Sequence, residues 1–252
     1  MLDFKLWLRL GRWHHRRWGR KALQGVQGRV LNIGTGDSWL ARAIINDNKA
    51  IELFEIDVMV QAGASVTVVG NGERLPFKND SFAGVIASDV LEHVNHPALL
   101  MSEISRVLKP NGRLYLVVPL ERAWWIVDYW LERLVDWQLK REILGHMHRF
   151  TLQELKALVA KSGLAISRQR FSHHWLYQAG STVYFGWLHH RRIRSVSGEN
   201  LPMPGWIRVG VILFGWLTVV ESWLLGRVPG REWHAVLIKA ADTIHSTPVY
   251  SK

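Results

Sequence analysis

Residues 30–36 read VLNIGTG, an apolar run closed by Gly34 and Gly36 and followed by Asp37, Ser38 and Trp39. A glycine pair at the tip of a strand lets backbone N–H groups approach a nucleotide-like ligand, but it also serves a tight strand-to-helix turn that binds nothing. Two glycines alone do not separate those readings. Histidines offer a second chemistry: His93 stands in LEHV, and His146 and His148 stand in GHMHRFT just before a helix start. With an ordinary pKa of about 6.5, each can hold or release a proton near neutral pH. The chain has no cysteine, which rules out thiolate and disulfide chemistry. A metal centre would have to use the twelve histidines and the carboxylates, and none is predicted.

Positioning these residues falls to short β-branched and apolar runs that alternate with helical patterns. The order is RVLNI, a helix from about Ser38, AIELFEI, ASVTVV, GVIAS, a helix near His96 to Leu108, then RLYLVV. Strand and helix in alternation predict a doubly wound α/β domain, a parallel sheet with helices on both faces. Thr151 to Lys161 carries Leu152, Leu155, Leu158 and Val159 at helical spacing, with Thr151 as N-cap, Glu154 three residues on and Gly163 as the stop. AISRQRF and WHAVLIKA read as two closing strands, and the long apolar-containing stretch between them exceeds a plain connection. At 252 residues the prior is one domain with additions. It divides into a basic, tryptophan-rich helical segment (1–28), a core (29–171), an apolar and basic helical insertion (172–230), a closing strand (231–241) and a tail (242–252) expected to be disordered.

From Val30 to Pro119 the sequence resembles the class I S-adenosylmethionine-dependent methyltransferases, in particular the small-molecule group called type 11. The resemblance is carried by VLNIGTG, by EID at the end of the second strand, by GNGERLPFKNDSFAGVIASDVLEHV and by EISRVLKPNGRLYLVVP. It implies a Rossmann-like, doubly wound, seven-stranded and mostly parallel sheet, here with an apolar helical insertion before the last strand, and S-adenosylmethionine as cofactor. It assigns Asn32, Gly34 and Gly36 to the cofactor loop and Asp57 to the ribose hydroxyls. Asn71 falls to the adenine amino group, the Gly72 N–H to the ring, and Ser88 and Asp89 to the methionine and methyl end. Asp57 could instead cap the next short helix. Asn32, Asn71 and Ala83 stand where the family has acids and Ser38 where it has a third glycine, so binding weaker than the family norm is expected. Methyl transfer is an in-line displacement that needs a base only when the acceptor must lose a proton. His93, His146 and His148 are the candidate catalytic residues, with packing or idle surface exposure as the alternative. Trp124 to Arg141 reads either as a lid over the site or as a helix packed on the sheet.

A formal net charge of +11 and fourteen tryptophans point to a polyanionic, interfacial partner. LDFKLWLRLGRWHHRRWGRK alternates indole and leucine with cations, as helices in a membrane plane do. It does not read as a secretory signal, because Asp3, Lys5 and Arg9 interrupt it. Val209 to Leu225 has one charge, Glu221. It would reach about 25 Å against a hydrocarbon thickness of ~30 Å. One crossing could not return the chain to the same sheet, which leaves an interfacial helix, a re-entrant pair with Trp175 to Leu188, or packing on the domain. The expectation is a cytoplasmic methyltransferase, peripheral on the anionic inner face of the cell membrane. Its acceptor would be small or lipid-linked, such as a quinone, a glycolipid or a polyprenyl-linked sugar. An RNA methyltransferase is disfavoured, because the arginines alternate with tryptophan and leucine rather than lining a polar groove. A non-catalytic scaffold on a degenerate fold is the third reading. Oligomeric state is left open.

Overall fold

A computed structural model describes residues 13–36, 38–45, 48–60, 66–126, 129–130, 145–180 and 205–241. The chain runs α1 (13–22), β1 (Gly28–Ile33), α2 (Trp39–Ile45), β2 (Ile51–Asp57), β3 (Val68–Val69), β4 (Phe82–Ser88), α3 (Pro97–Val107) and β5 (Leu108–Pro119). It continues through α4 (Leu152–Lys161), β6 (Leu164–Ser172), α5 (Gly205–Leu224) and β7 (Glu232–Lys239). The described strands form one seven-stranded sheet in the order β3-β2-β1-β4-β5-β7-β6. Strands β1 to β5 pair in parallel, and β7 runs antiparallel between β5 and β6.

Because successive side chains point to opposite faces of a strand, two cores form. Leu31, Ile33, Val85, Ala87, Leu114 and Leu116 face α3 and α4, where Leu100, Met101, Ile104, Leu155 and Val159 cover them. Val30, Ile86, Tyr115 and Val117 face α1 and α2, where Ala22, Leu23, Leu40, Ala41 and Ile44 cover them. The C-terminal part of the basic first segment is thus a structural layer of the sheet. The stretch Leu2 to Leu10 lies outside the described residues, as do the tail 242–252 and most of Trp124 to Arg141. β5 is longer than RLYLVV suggested, because it continues directly from α3 with a register shift opposite Phe82 and Gly84. For β3 only two residues pair.

α4 begins with both halves of the expected capping box, Thr151 accepting from the Glu154 N–H and Glu154 from that of Thr151. In α5, Gly215, Thr218, Val219 and Ser222 are buried, while Leu213, Trp216, Leu217, Val220, Trp223 and Leu224 are exposed. Among the described residues no helix is long and apolar enough to cross a membrane.

β1 connects to β2 on one side and neighbours β4 on the other, so the sheet reverses its winding between the tips of β1 and β4. In open α/β sheets that crevice is where ligands bind.

Candidate functional site

The loop after β1 is tied to the end of β2. The Gly34 N–H and the Thr35 hydroxyl donate to the Ile56 carbonyl at 3.0 and 3.3 Å, and the Gly36 N–H donates to Asp57 Oδ2 at 3.0 Å. Asp57 Oδ1 accepts from the Met59 N–H at 3.1 Å, so the carboxylate does cap the following turn. An ionised carboxylate has about four lone-pair directions, which leaves both oxygens able to accept further bonds. Gly34 has φ +67°, and a Cβ there would stand 2.4 Å from Val90 Cγ2. Gly36 has φ +52°, and apart from its chain neighbours no described residue comes within 4 Å of a Cβ position, so the approach to its backbone is open.

Asn32 is buried and donates from Nδ2 to Glu55 Oε1 at 3.2 Å. The two are register partners on adjacent strands. The carboxyl group missing from position 32 thus has a counterpart one strand away, on the buried Glu55.

A cavity of about 250 Å³ opens beside this loop, lined by Asn32, Gly34, Ser88 and Asp89 together with Trp39, Leu40, His15, His173, Tyr177 and Glu232. Four of the predicted cofactor residues thus share one cavity. Asp57, Gly36, Asn71 and Gly72 stand outside its lining. Asn71 is exposed and accepts the Glu73 N–H at 2.8 Å. Gly72 closes against the core, since a Cβ there would meet Leu100 at 3.0 Å. At the tip of β4, Asp89 holds φ +54° and accepts from the Ser88 hydroxyl at 2.9 Å. A left-handed backbone at a non-glycine residue is the kind of strain that clusters at functional sites.

Four of the residues lining the cavity, His15, His173, Tyr177 and Glu232, belong to a buried network that no local spacing announces. Glu232 accepts from the Ser172 hydroxyl at 2.9 Å and pairs with His15 Nε2 at 3.0 Å and His173 Nδ1 at 2.7 Å. His234 bonds the Ser172 hydroxyl at 2.8 Å and the Tyr115 hydroxyl at 3.0 Å. Burial alone would raise the Glu232 carboxyl, but His173 and His15 beside it hold it well below the usual carboxylate range. Burial pushes His234 down to about 3. Tyr177 stacks on His173 with ring centroids 3.6 Å apart. These groups arrive from α1, β5, the end of β6 with the residues just after it, and the start of β7, and no local spacing links them.

The structure brings the segments carrying the three predicted histidines together, though none of the three lines the cavity. The Glu92 carbonyl accepts from the Met147 and His148 N–H groups at 2.8 and 3.0 Å, strapping the 145–148 segment to LEHV. His93 Nδ1 lies 3.2 Å from the Gly145 carbonyl, and His146 Nδ1 lies 2.9 Å from Glu121 Oε1. The His93 and His146 rings meet edge to face at 4.9 Å. His148 instead bonds the Asn95 carbonyl at 3.2 Å and stacks on Phe150.

An open approach at Gly36, spare acceptor capacity on Asp57 and a polar cavity at Ser88 and Asp89 fit an adenosyl sulfonium laid across the strand tips. Comparison with known proteins agrees. Residues 7–169, more than half of the chain, match the model of a family described as a methyltransferase domain. The bifunctional biotin-biosynthesis protein of Cellvibrio japonicus is 30% identical over 116 residues, which is 40% of this chain and 23% of that protein. The ubiquinone/menaquinone biosynthesis C-methyltransferase of Bordetella parapertussis is 32% identical over 127 residues, 43% of this chain and 48% of that one. This chain therefore spans less than half the length of either relative. Phosphoethanolamine N-methyltransferase 2 of Haemonchus contortus, solved with S-adenosylhomocysteine, shares the fold with a TM-score of 0.54 at 13% identity, covering 91% of this chain and 53% of that one.

Proposed function

The chain belongs to the methyltransferase-domain family, and on that premise we propose that it transfers a methyl group from S-adenosylmethionine to a small or lipid-borne acceptor while resting on an anionic membrane surface. The observation that carries the first half is the cavity between the tips of β1 and β4, with Asn32, Gly34, Ser88 and Asp89 in its lining. When bound, S-adenosylmethionine supplies an electrophilic methyl group on a cationic sulfur. The backbone of Gly34 and Gly36 would hold it closely, Asp57 would accept the ribose hydroxyl protons, and Asn71 and Gly72 would meet the adenine. Ser88 and Asp89 would bound its methionine end.

His15 and His173 stand in the same cavity and share Glu232. Where the acceptor must lose a proton, either imidazole can take it, and the Glu232 carboxylate is placed to pair the imidazolium that results. Where the acceptor is already nucleophilic, orientation and exclusion of water suffice. A quinone-like acceptor is supported by the relative named for ubiquinone and menaquinone biosynthesis.

The second half rests on α5. Its exposed side chains are Trp216, Leu217, Val220, Trp223 and Leu224; Trp175 is exposed too, and the N–H of the next residue, Leu176, donates to Glu221 of α5. Trp223 and Leu224 also line a cleft of about 680 Å³ shared with Arg17, Lys21, Arg113, Arg168, Arg170 and Arg227. Indole beside arginine suits a headgroup region, and each cation near an anionic surface contributes about 1 kcal/mol. The deciding experiment incubates the chain with radiolabelled S-adenosylmethionine and an organic extract of host membranes. Label in a chromatographed lipid or quinone supports the reading. Transfer to no fraction, with cofactor bound, removes the enzymatic claim.

A further inference from the structure

We propose that Glu92, His93 and His146 form a binding site for a first-row divalent metal ion of the Zn²⁺ and Co²⁺ class. Each offers a ligand atom, and the three atoms lie within 4.8 Å of one another. Tetrahedral donors at about 2.1 Å from a zinc ion stand ~3.4 Å apart, so side-chain shifts of up to about 1.4 Å between donors bring all three onto one centre.

The independent sign is Glu92 itself. Its side chain is fully buried, and among the described residues neither carboxylate oxygen has a hydrogen-bond partner. Burial raises its carboxyl well above the ordinary range, and the nearby carboxylates of Asp89 and Glu121 push the same way. A buried carboxylate without donors is costly, and buried charges are as a rule paired or bound to a metal. Here a cation would serve both oxygens and offset the repulsion between the acids.

One nitrogen of each histidine ring already has a partner. Nδ1 of His146 is held by the Glu121 carboxylate, and Nδ1 of His93 by the Gly145 carbonyl. Nε2 of each ring would then be the coordinating atom, with the opposite nitrogen held by a carboxylate or carbonyl as in most metal-bound histidines. Glu121 is anchored in turn, with Arg231 at 3.8 Å and Arg149 at 3.9 Å. The Met147 and His148 N–H groups on the Glu92 carbonyl keep His146 at the turn.

Two imidazoles and one carboxylate suit first-row transition dications better than Mg²⁺ or Ca²⁺, and three protein ligands leave positions open. Asp89, three residues earlier on the same turn, lines the cofactor cavity. The metal's role rests on the proposed methyl transfer: an oxygen-bearing acceptor would be fixed at the open positions and its acidity raised. The site itself does not depend on that reading.

The test uses tag-free full chain, stripped with chelator and titrated with Co²⁺ while the ligand-field absorption is followed. One equivalent should bind, with bands of nitrogen and oxygen coordination. Glu92→Gln and His146→Ala should each weaken binding at least a hundredfold, and Glu121→Gln, which acts through His146, by about 10–100-fold. His96→Ala, whose ring pairs with Glu73 instead, should change nothing. Binding of S-adenosylhomocysteine by each variant reports a folded cofactor site. Co²⁺ binding that survives in Glu92→Gln and His146→Ala, or a folded wild type that takes up no Co²⁺, overturns the proposal. Co²⁺ bound without any S-adenosylhomocysteine binding keeps the metal site and removes the methyl-transfer reading.

Discussion

Gly34 leaves no room for a side chain. Gly34→Ala should cost about 1–3 kcal/mol of stability, from overpacking on Val90 and a left-handed backbone, and should abolish cofactor binding. A thermal melt and a calorimetric titration read the two effects separately. Asp57→Ala removes a charged acceptor and the pin on Gly36, so affinity for S-adenosylhomocysteine should fall by about 10–150-fold, the equivalent of roughly 1.5–3 kcal/mol. The Asn32–Glu55 pair makes a sharper claim. Restoring the family's acid with Asn32→Asp would set two buried carboxylates side by side and should lower the melting temperature by several degrees. Adding Glu55→Gln should recover it. An unchanged or higher melting temperature for the single variant would mean that Glu55 is not the counterpart of the missing carboxyl group. Gly34, Gly36 and Asp57 were legible because strand tip, turn and acid follow one another along the chain. Glu55 was not, because its relation to Asn32 appears only once the strands are in register.

Among the elements, α4 was the most legible, since its cap, its apolar spacing and its stop lie within thirteen residues. Thr151→Ala should destabilise the protein by about 1 kcal/mol, read by denaturant melts. α5 was legible as an apolar helix but not as a face, because a segment apolar on nearly every side does not say which side is covered. The buried Gly215, Thr218 and Ser222 mark the packed side, and the tryptophans mark the other. Trp216→Ser with Trp223→Ser should cut the fraction bound to anionic liposomes by tenfold or more and leave S-adenosylhomocysteine affinity unchanged. Co-sedimentation equal to wild type would show that this face packs on something other than lipid.

Over the whole molecule, β7 inserts antiparallel between β5 and β6 and draws together groups as far apart as His15 and Glu232. Strand patterns revealed β6 and β7, but not that their ends would meet α1 at the cavity, because that follows from strand order rather than local sequence. The buried network has a signature in pH. His234 is held down to about 3 from an unfolded value of 6.5. Between those values the unfolded chain binds a proton that the fold does not, so stability falls as pH drops through that window. His234→Gln should flatten that fall by about 1.4 kcal/mol per pH unit, measured by urea melts at several pH values. Glu92, its carboxyl raised by burial, contributes with the opposite sign above about pH 4.3 and does not enter that difference. The proposed methyl transfer turns on whether the strand-tip cavity takes the adenosyl cofactor. Isothermal titration of the full chain with S-adenosylhomocysteine should show one site per chain, lost in Gly34→Ala and weakened in Asp57→Ala. A folded wild-type chain that gives no binding heat at millimolar ligand would contradict the account.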